Sequence, residues 1–289
     1  MALIAEHHIL QFTTNVELLL QQRQSRLMGK TGSSNYKGDA AQVVLQYGAL
    51  EMQANTNWTD DTPISNADHQ QRWCLPTDKE LGLFVTKEDE IRMLADPKSP
   101  YTEIIRAAYA RTVDATIVDA AFAASKTGPY NGMVNTAFPA SQTIGGATAT
   151  DGLTLGKLTQ AREMLDAAEI EDFDTLYLVC TAQQITNLLG DDKVTSSDYA
   201  TVKALVNGEI NTFMGFEFVR LETLPLATKT RSCIAYAKSG LHFGTWNGLD
   251  LRVDQRPDKK YVYQIYGKCT VGATRTQEKK VVKINCLER

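Results

Sequence analysis

The sequence predicts a protein of the α+β class, in which helices and strands fill different parts of the chain. One long helix is expected from Pro100 to Lys126, because Ser99 and Pro100 supply an N-cap and a first-turn proline. A segment in which helices and strands alternate is expected from Thr154 to Leu221. Strands alone are expected from Cys233 to Cys286.

The individual elements follow from periodicity and from capping signals. Helical spacing covers Glu6 to Met28, and glycines and serines interrupt any pattern from Gly29 to Gly38, so this part is expected to be a tethered arm. Thr86 and Asp89 form a capping box for a short helix through Ala95. The other predicted helices are Thr154–Ala168, Ala182–Leu189 and Asp198–Val206. The predicted strands are Thr175–Cys180, Phe216–Leu221, Cys233–Ala237, Leu241–Thr245, Leu249–Val253, Tyr261–Gly272 and Val281–Cys286, with a turn at Trp246–Gly248. A loop or loose strands are expected at 130–152, and a polar loop at 190–197.

The most unusual part of the sequence is a polar stretch from Gly48 to Pro76, whose flanks alternate as strands do. Between Gln53 and Gln71 the only large apolar side chains are Trp58 and Ile64. Ordering about twenty residues costs on the order of 1 kcal/mol each in backbone entropy, whereas burying two such side chains returns about 5 kcal/mol. A hairpin here is therefore either a floppy insertion or a segment that another chain orders.

The composition is that of an ordinary soluble globular protein, with 289 residues, 43% hydrophobic and 22% charged. No apolar run approaches the roughly 20 residues of a membrane span and no signal peptide is evident, so the chain is expected in the cytoplasm where it is made. The net charge of -4 conceals basic ends and an acidic centre. This pattern argues against a dedicated nucleic-acid-binding domain and favours head-to-tail contact between copies, although a mixed solvated surface also accounts for it.

No pattern in the sequence indicates catalysis, a cofactor or a metal. The five cysteines are widely spaced without a C-x-x-C pair and are expected to be reduced and mostly buried. Gly29-Lys30-Thr31 matches only the end of a phosphate loop, because Gln24 stands where the first glycine is needed. His7 and His8 lack further ligands for a metal site. The carboxylates from Asp166 to Asp174 lie at the end of a predicted helix where the helix dipole disfavours anions, so a solvated loop is favoured there over a cation site. We therefore expect neither an enzyme nor a cofactor site.

A particular succession of residues surrounds the polar stretch and the long helix. In order it contains Arg72-Trp73-Cys74-Leu75-Pro76, Asp89, Arg92, Asp96-Pro97-Lys98-Ser99-Pro100-Tyr101, Ala107, Arg111, Asp114, Ile117, Ala120 and Gly128. This succession resembles the central block of tailed-bacteriophage major capsid proteins, and the order of segments over nearly the whole chain is similar to the Hong Kong 97-type fold. The resemblance implies an N-terminal arm (1–46), an extended E-loop hairpin (47–77), a peripheral domain with a long spine helix (78–150), an axial domain (151–239) and returning peripheral-domain strands (240–289).

The resemblance also implies a function. Copies of the chain would form the pentamers and hexamers of an icosahedral head shell that encloses double-stranded phage DNA. Some members join subunits covalently through an E-loop lysine, but no lysine occurs from Gln46 to Asp78, so we expect this shell to be held non-covalently. The expected intersubunit contacts are Trp58, Pro63, Ile64, Arg72 and Trp73.

The implied partners are other copies of the chain, a portal protein, packaged DNA by non-specific proximity and, in some heads, a decoration protein. A separate scaffolding protein is expected because only a short arm precedes the hairpin. No membrane partner is expected, and the chain would occupy the host cytoplasm during assembly and the virion capsid afterwards.

Two other interpretations stay open from the sequence. An encapsulin-like nanocompartment shell would share the fold but enclose cargo enzymes; the polar hairpin and the Arg72-Trp73 element favour the phage interpretation. A soluble α/β enzyme is supported only by the alternating segment Thr154 to Leu221 and would need a convergent polar pocket.

Overall fold

The computed structural model describes residues 21–52, 54, 64–85, 98–146, 149–170, 174–190 and 212–288, with residues 98–100 described by their backbone. The predicted contacts Trp58 and Pro63, the predicted helices Thr86–Ala95 and Asp198–Val206, and most of the predicted arm helix lie outside these residues. The chain divides into two compact units: unit 1 contains residues 1–24, 78–111 and 247–270, and unit 2 contains residues 25–77, 112–246 and 271–289. The division into five segments stays a prediction.

The described elements are those of an α+β protein. The helices are α1 (Lys98–Phe122), α2 (Leu155–Asp166) and α3 (Ala182–Leu189). The strands are β1 (Gly32–Asn35), β2 (Ala41–Tyr47), β3 (His69–Cys74), β4 (Thr77–Val85), β5 (Ser125–Thr127), β6 (Val134–Thr136), β7 (Thr143–Ile144), β8 (Leu176–Cys180), β9 (Thr212–Phe213), β10 (Phe216–Arg220), β11 (Leu226–Ala227), β12 (Thr230–Ala237), β13 (Leu241–Arg256), β14 (Val262–Arg275) and β15 (Val281–Leu287).

The predicted long helix is present as α1, but it ends at Phe122 and not at Lys126. Two contacts explain the earlier end. Arg275 donates to the carbonyl oxygens of Ala121 and Ala123, both at 2.9 Å, and so occupies acceptors that the next helical turn would use. The residues that follow then join a sheet as β5.

The described part of unit 1 contains three strands and the first part of α1. The second part of β13, together with β14 and β4, forms a sheet in the order β13-β14-β4. Tyr266 donates to Glu80 at 2.6 Å across β14 and β4. The core consists of Val85, Ile105 and Ile265, with Leu83, Tyr101, Leu249, Leu251 and Tyr263 packed against it.

Unit 2 contains a seven-stranded mixed sheet in the order β7-β15-β12-β8-β10-β9, with β11 paired to β12. The pair β8 and β10 is parallel, as the predicted alternation of helices and strands favours. Helix α2 begins after Thr154, whose side chain accepts from the Lys157 amide at 3.5 Å, and α3 has the predicted bounds. The predicted strands of this region appear with ends shifted by a few residues.

The arm departs from its predicted structure. Residues 21–27 are not helical, although helical spacing extends to Met28. Instead the Asp114 carboxylate accepts from the Ser25 hydroxyl at 2.6 Å, the Arg26 amide at 3.0 Å and the Leu27 amide at 3.1 Å. The chain then forms β1 within the stretch expected to be broken, because β1 pairs in parallel with the first part of β13.

The predicted turn at Trp246–Gly248 is also wrong, because β13 runs through it as one strand. Trp246 donates from Nε1 to the Gly38 carbonyl at 2.7 Å, and its ring lies 5.4 Å from the ring of Tyr36. These contacts with the arm hold the backbone extended where the residue types favour a turn.

Candidate functional site

The base of the predicted hairpin is formed by β2 and β3. The two strands pair antiparallel as far as Tyr47 opposite His69, whose rings meet edge to face at 4.7 Å. Past this pair, the Gly48 amide donates to the Asp68 carbonyl at 2.8 Å. The ladder therefore continues into the polar stretch, as the flanking alternation predicted.

Apolar side chains of the hairpin are exposed within this chain. Ile64 is 91% exposed and Tyr47 62%. Single exposed apolar residues are ordinary, but several of them on one hairpin with little core of its own are typical of a surface that another chain covers. Among the described residues from 41 to 77, the exposed large apolar ones are Leu45, Tyr47, Leu50, Met52, Ile64 and Leu75.

Arg72 holds the hairpin base from inside the subunit. Its side chain on β3 is 4% exposed. Its guanidinium donates to the Ser125 hydroxyl on β5 at 2.8 Å and to the Glu278 carboxylate at 2.6 Å. Charge-assisted hydrogen bonds of this length are among the stronger ones in proteins, so Arg72 ties β3 to two other segments of unit 2.

Arg275, which is fully buried at the end of β14, lies beside Arg72 in the same cluster. Besides capping α1, it approaches the Ser125 hydroxyl at 3.4 Å and Glu278 at 3.8 Å. Burial lowers the pKa of the Arg275 guanidinium from its usual value, with Glu278 acting in the opposite direction. Two buried arginines thus share one carboxylate and one hydroxyl; we call Arg72, Ser125, Arg275 and Glu278 the arginine cluster.

Trp73 joins β3 to the segment that follows β5. Its Nε1 donates to the Gly128 carbonyl at 2.7 Å, and its ring lies 5.5 Å from that of Tyr130. Gly128 has a φ of +91°, a backbone conformation that favours glycine, and its amide donates to the Gln71 carbonyl at 3.1 Å. Gly128 therefore shapes the turn after β5; it does not end the helix, which stops at Phe122.

A polar cleft of about 460 Å³ opens at the base of the hairpin. Hairpin residues form one side, and the segment before β15 forms the other. Gln46 bridges the two sides by donating to the Thr276 carbonyl at 2.7 Å. The cleft is lined by Gln46, Tyr47, Gly48, Asp68, Gln70, Arg72, Gln277, Glu278 and Lys279.

The structure places the expected contact residues in different environments. Ile64 is exposed, Trp73 is half-buried against its own subunit, and Arg72 is buried with partners in its own chain. Whether any of them touches a neighbouring subunit stays a prediction. Sequence reasoning missed Ser125, Arg275 and Glu278; the available signal was Arg275, a charged residue that directly follows the small and apolar stretch 269–274.

The described residues offer no other evident chemistry. The five cysteines are free and buried, and burial raises the pKa of the Cys74 and Cys180 thiols to about 12, which keeps them protonated. Among the described side chains, no group of three or more His, Cys, Asp or Glu is arranged to hold a metal ion. None of the helices in the described part of the chain is long and apolar enough to cross a membrane.

Comparison with known proteins supplies the family. The family model described as "Phage capsid protein" matches residues 4–288. A search of curated proteins gives no match. The alternatives of an encapsulin-like shell and a soluble α/β enzyme are not favoured by the family match.

Solved phage structures share the fold at low sequence identity. The capsid of cyanophage P-SCSP1u is 16% identical with a TM-score of 0.75, covering 98% of this chain and 94% of that chain. A structure from Mycobacterium phage Che8 is 16% identical with a TM-score of 0.74, covering 96% and 97%. The capsid of Ralstonia phage GP4 is 11% identical with a TM-score of 0.72, covering 100% and 98%. The chain belongs to the phage capsid protein family and is a major capsid protein of the tailed-phage type with the Hong Kong 97-type α+β fold.

Proposed function

We propose that copies of this chain form pentamers and hexamers, which close an icosahedral head shell around double-stranded phage DNA. In each subunit the E-loop hairpin reaches a neighbouring copy, and Trp58, Pro63, Ile64 and Trp73 contribute to that contact. A scaffolding protein and a portal protein take part in assembly in the host cytoplasm, and a decoration protein is a further partner of the finished shell.

The observation that carries this proposal is a hairpin whose base is firmly held within the subunit while its large apolar side chains are exposed. A buried hydrogen bond from Arg72 and a partly buried one from Trp73 hold β3, yet Tyr47, Met52 and Ile64 remain exposed. Exposing these side chains in an isolated subunit forgoes about 1.5–3 kcal/mol for each large one that could be buried. Covering them with a second copy recovers that free energy, which favours association over a free subunit.

The contact is non-covalent in this proposal. The stretch from Gln46 to Asp78 contains no lysine that could form an isopeptide bond across subunits. Stable protein interfaces bury about 1,600 Å² in total, and several such contacts per subunit hold a shell without any single strong one. Denaturant should therefore release intact subunits of 32.0 kDa from particles, with no covalent ladder on a denaturing gel.

The assembly of the purified chain tests the first part of the proposal. We expect hollow particles or capsomer-sized rings, alone or with a scaffolding protein, by size-exclusion chromatography and negative-stain electron microscopy. A homogeneous monomer under every assembly condition would overturn it.

A shortened hairpin tests the second part. Replacing residues 49–67 by Asn-Gly keeps the Gly48–Asp68 hydrogen bond and gives a two-residue hairpin loop. We expect a folded subunit, with wild-type circular dichroism and unfolding midpoint, that no longer assembles. A second variant, in which the same residues become a Gly/Ser linker of equal length, separates the loss of side chains from the loss of length. Assembly of both variants at the wild-type level would exclude the hairpin as an intersubunit element.

A further inference from the structure

We infer that Arg72 is a positioning residue for assembly, which sets the direction in which the hairpin leaves its own subunit. The inference rests on the proposed function, in which the hairpin reaches a neighbour. It differs from the contact role expected from the sequence, because the guanidinium acts through the hairpin and does not itself touch the neighbouring copy.

The two hairpin strands are each joined to the segment just before β15. On β2, Gln46 donates to the Thr276 carbonyl at 2.7 Å. On β3, Arg72 donates to Glu278 at 2.6 Å. Strand β15 pairs with β12 in the seven-stranded sheet of the same unit. These links therefore orient the hairpin relative to the largest sheet of unit 2.

The guanidinium suits this role because it is a planar fork. Separate nitrogens of Arg72 reach Ser125 at 2.8 Å and Glu278 at 2.6 Å. Two bonds in one plane fix the rotation of the side chain as well as its distance, whereas a lysine supplies a single flexible point charge. Burial also matters: Arg72, Ala41 and Cys74 are the buried residues of β2 and β3, so little apolar packing competes to set the direction.

The arginine cluster is a poor source of folding free energy. Three charges lie close together in it, and the buried Nε atoms of both arginines have no hydrogen-bond partner among the described residues. Buried ion pairs often stabilise less than apolar residues of the same volume, since desolvation offsets the attraction. Orientation is the property that such a cluster provides and apolar packing would not.

Because Arg72 and Arg275 share the Glu278 carboxylate, the effect of Arg72 on the direction of the hairpin can be separated from its effect on folding. If Arg72 is replaced, Glu278 remains 3.8 Å from Arg275 and keeps a cationic partner. Removing one member of an isolated buried pair is costly because it leaves a bare charge, but that situation does not arise here. The subunit should therefore fold without Arg72 while its hairpin loses a fixed direction.

The experiment compares Arg72→Met and Arg72→Lys with Arg231→Met. Arg231 is a matched control in the same unit. It forms a bidentate salt bridge with Glu288, with both hydrogen bonds at 2.6 Å, and it lies outside the arginine cluster. For each variant we would measure hydrogen exchange of amides 41–47 and 69–74 in unassembled subunits, the thermal midpoint, and particle formation by electron microscopy.

We expect Arg72→Met to raise exchange in the hairpin base by about tenfold, because charged hydrogen bonds that hold it locally are lost. The midpoint should fall by about 2–4 °C, and particles should become rare or irregular. Arg72→Lys should restore the midpoint more fully than it restores regular particles. Arg231→Met should lower the midpoint while leaving exchange at the hairpin base and particle shape unchanged.

Two results would overturn the inference. One is regular particle formation by Arg72→Met at the wild-type level, which leaves the proposed function intact because wild-type particles still form. The other is a parallel loss of particles in Arg72→Met and Arg231→Met in proportion to their midpoints, which would assign Arg72 to general stability. Failure of the wild-type chain to assemble would contradict the proposed function itself.

Discussion

Two sheets of unit 2 are made of similar strands but differ in what they bury. In the seven-stranded sheet, β8 is buried at every position, and β12 is buried at all of its residues except Arg231. In the four-stranded sheet β2-β3-β5-β6, strands β2 and β3 bury only Ala41, Arg72 and Cys74. The first sheet stabilises the subunit through apolar packing. The second is positioned by polar contacts and leaves apolar side chains exposed in this chain.

The largest expected effect tests the apolar side of this comparison. Leu178 on β8 is fully buried, whereas Leu45 on β2 is 40% exposed. Leu178→Ala should lower the free energy of unfolding by about 2–5 kcal/mol, since it removes buried methyl groups and leaves a cavity. Leu45→Ala should lower it by less than about 1 kcal/mol. Urea unfolding of both variants measures the difference, and equal losses would contradict the contrast.

A charge pair within the larger sheet gives the next effect. The hydrogen bond from Arg231 holds the pKa of Glu288 below its usual value, so the pair stabilises the fold above the pKa of an unfolded glutamate, about 4.3. That contribution is lost as pH falls through the lower folded pKa. Arg231→Met should therefore cost about 1.5–3 kcal/mol at pH 7 and progressively less below pH 4.3.

Unfolding curves at several pH values measure this dependence. Arg252 provides the control, because its side chain is 67% exposed beside Asp250 and such pairs contribute little. Arg252→Met should show no comparable pH dependence. A loss in Arg231→Met that stays constant down to pH 2 would show that packing, and not the ion pair, is responsible.

A glycine where β14 passes the hairpin base gives an effect of similar or smaller size. A methyl group at Gly272 would collide with the Leu75 carbonyl oxygen and lie 3.0 Å from the Cys74 sulfur. Gly272→Ala should cost about 1–3 kcal/mol, the usual range for overpacking, because backbone has to shift. Gly248→Ala, where nothing lies within 4 Å, is the control in thermal unfolding. If Gly272→Ala left the thermal midpoint unchanged, the backbone at the end of β3 would shift at little cost in free energy.

The smallest effect on stability concerns the exposed apolar side chains of the hairpin. Ile64 is 91% exposed, so Ile64→Ser should change the free energy of unfolding by less than about 0.5 kcal/mol. Particle yield should nevertheless fall, because the apolar side chain would be buried only between subunits. Light scattering during assembly measures that yield. Unchanged assembly would remove Ile64 from the proposed contact.

Local signals in the sequence were sufficient for elements that depend on their own residues. Helix α3 has the predicted bounds, and Thr154 caps α2 as its residue type indicates. The base of the hairpin also follows from alternation on both of its flanks. In each case the periodicity and the end signals agree, and no distant partner opposes them.

Elements governed by distant partners were predicted less well. Helix α1 ends early because Arg275, more than 150 residues away, takes its last carbonyls. Trp246 continues a strand because its indole binds the Gly38 carbonyl, 208 residues away. Arg72 is an expected intersubunit contact that stays a prediction; its partners within this chain, 53 and 206 residues away in the sequence, were not foreseen. Nothing local to these residues indicates such contacts.

The sequence by itself therefore determined the class of fold, the long helix, the polar hairpin and the family resemblance, because periodicity and residue order are local properties. Only the tertiary structure decided that Arg72 faces inward, that Arg275 and Glu278 share its cluster, and that the arm pairs with β13. The physical reason is that a buried charge needs a partner, and the folded chain can supply one from any point along its length.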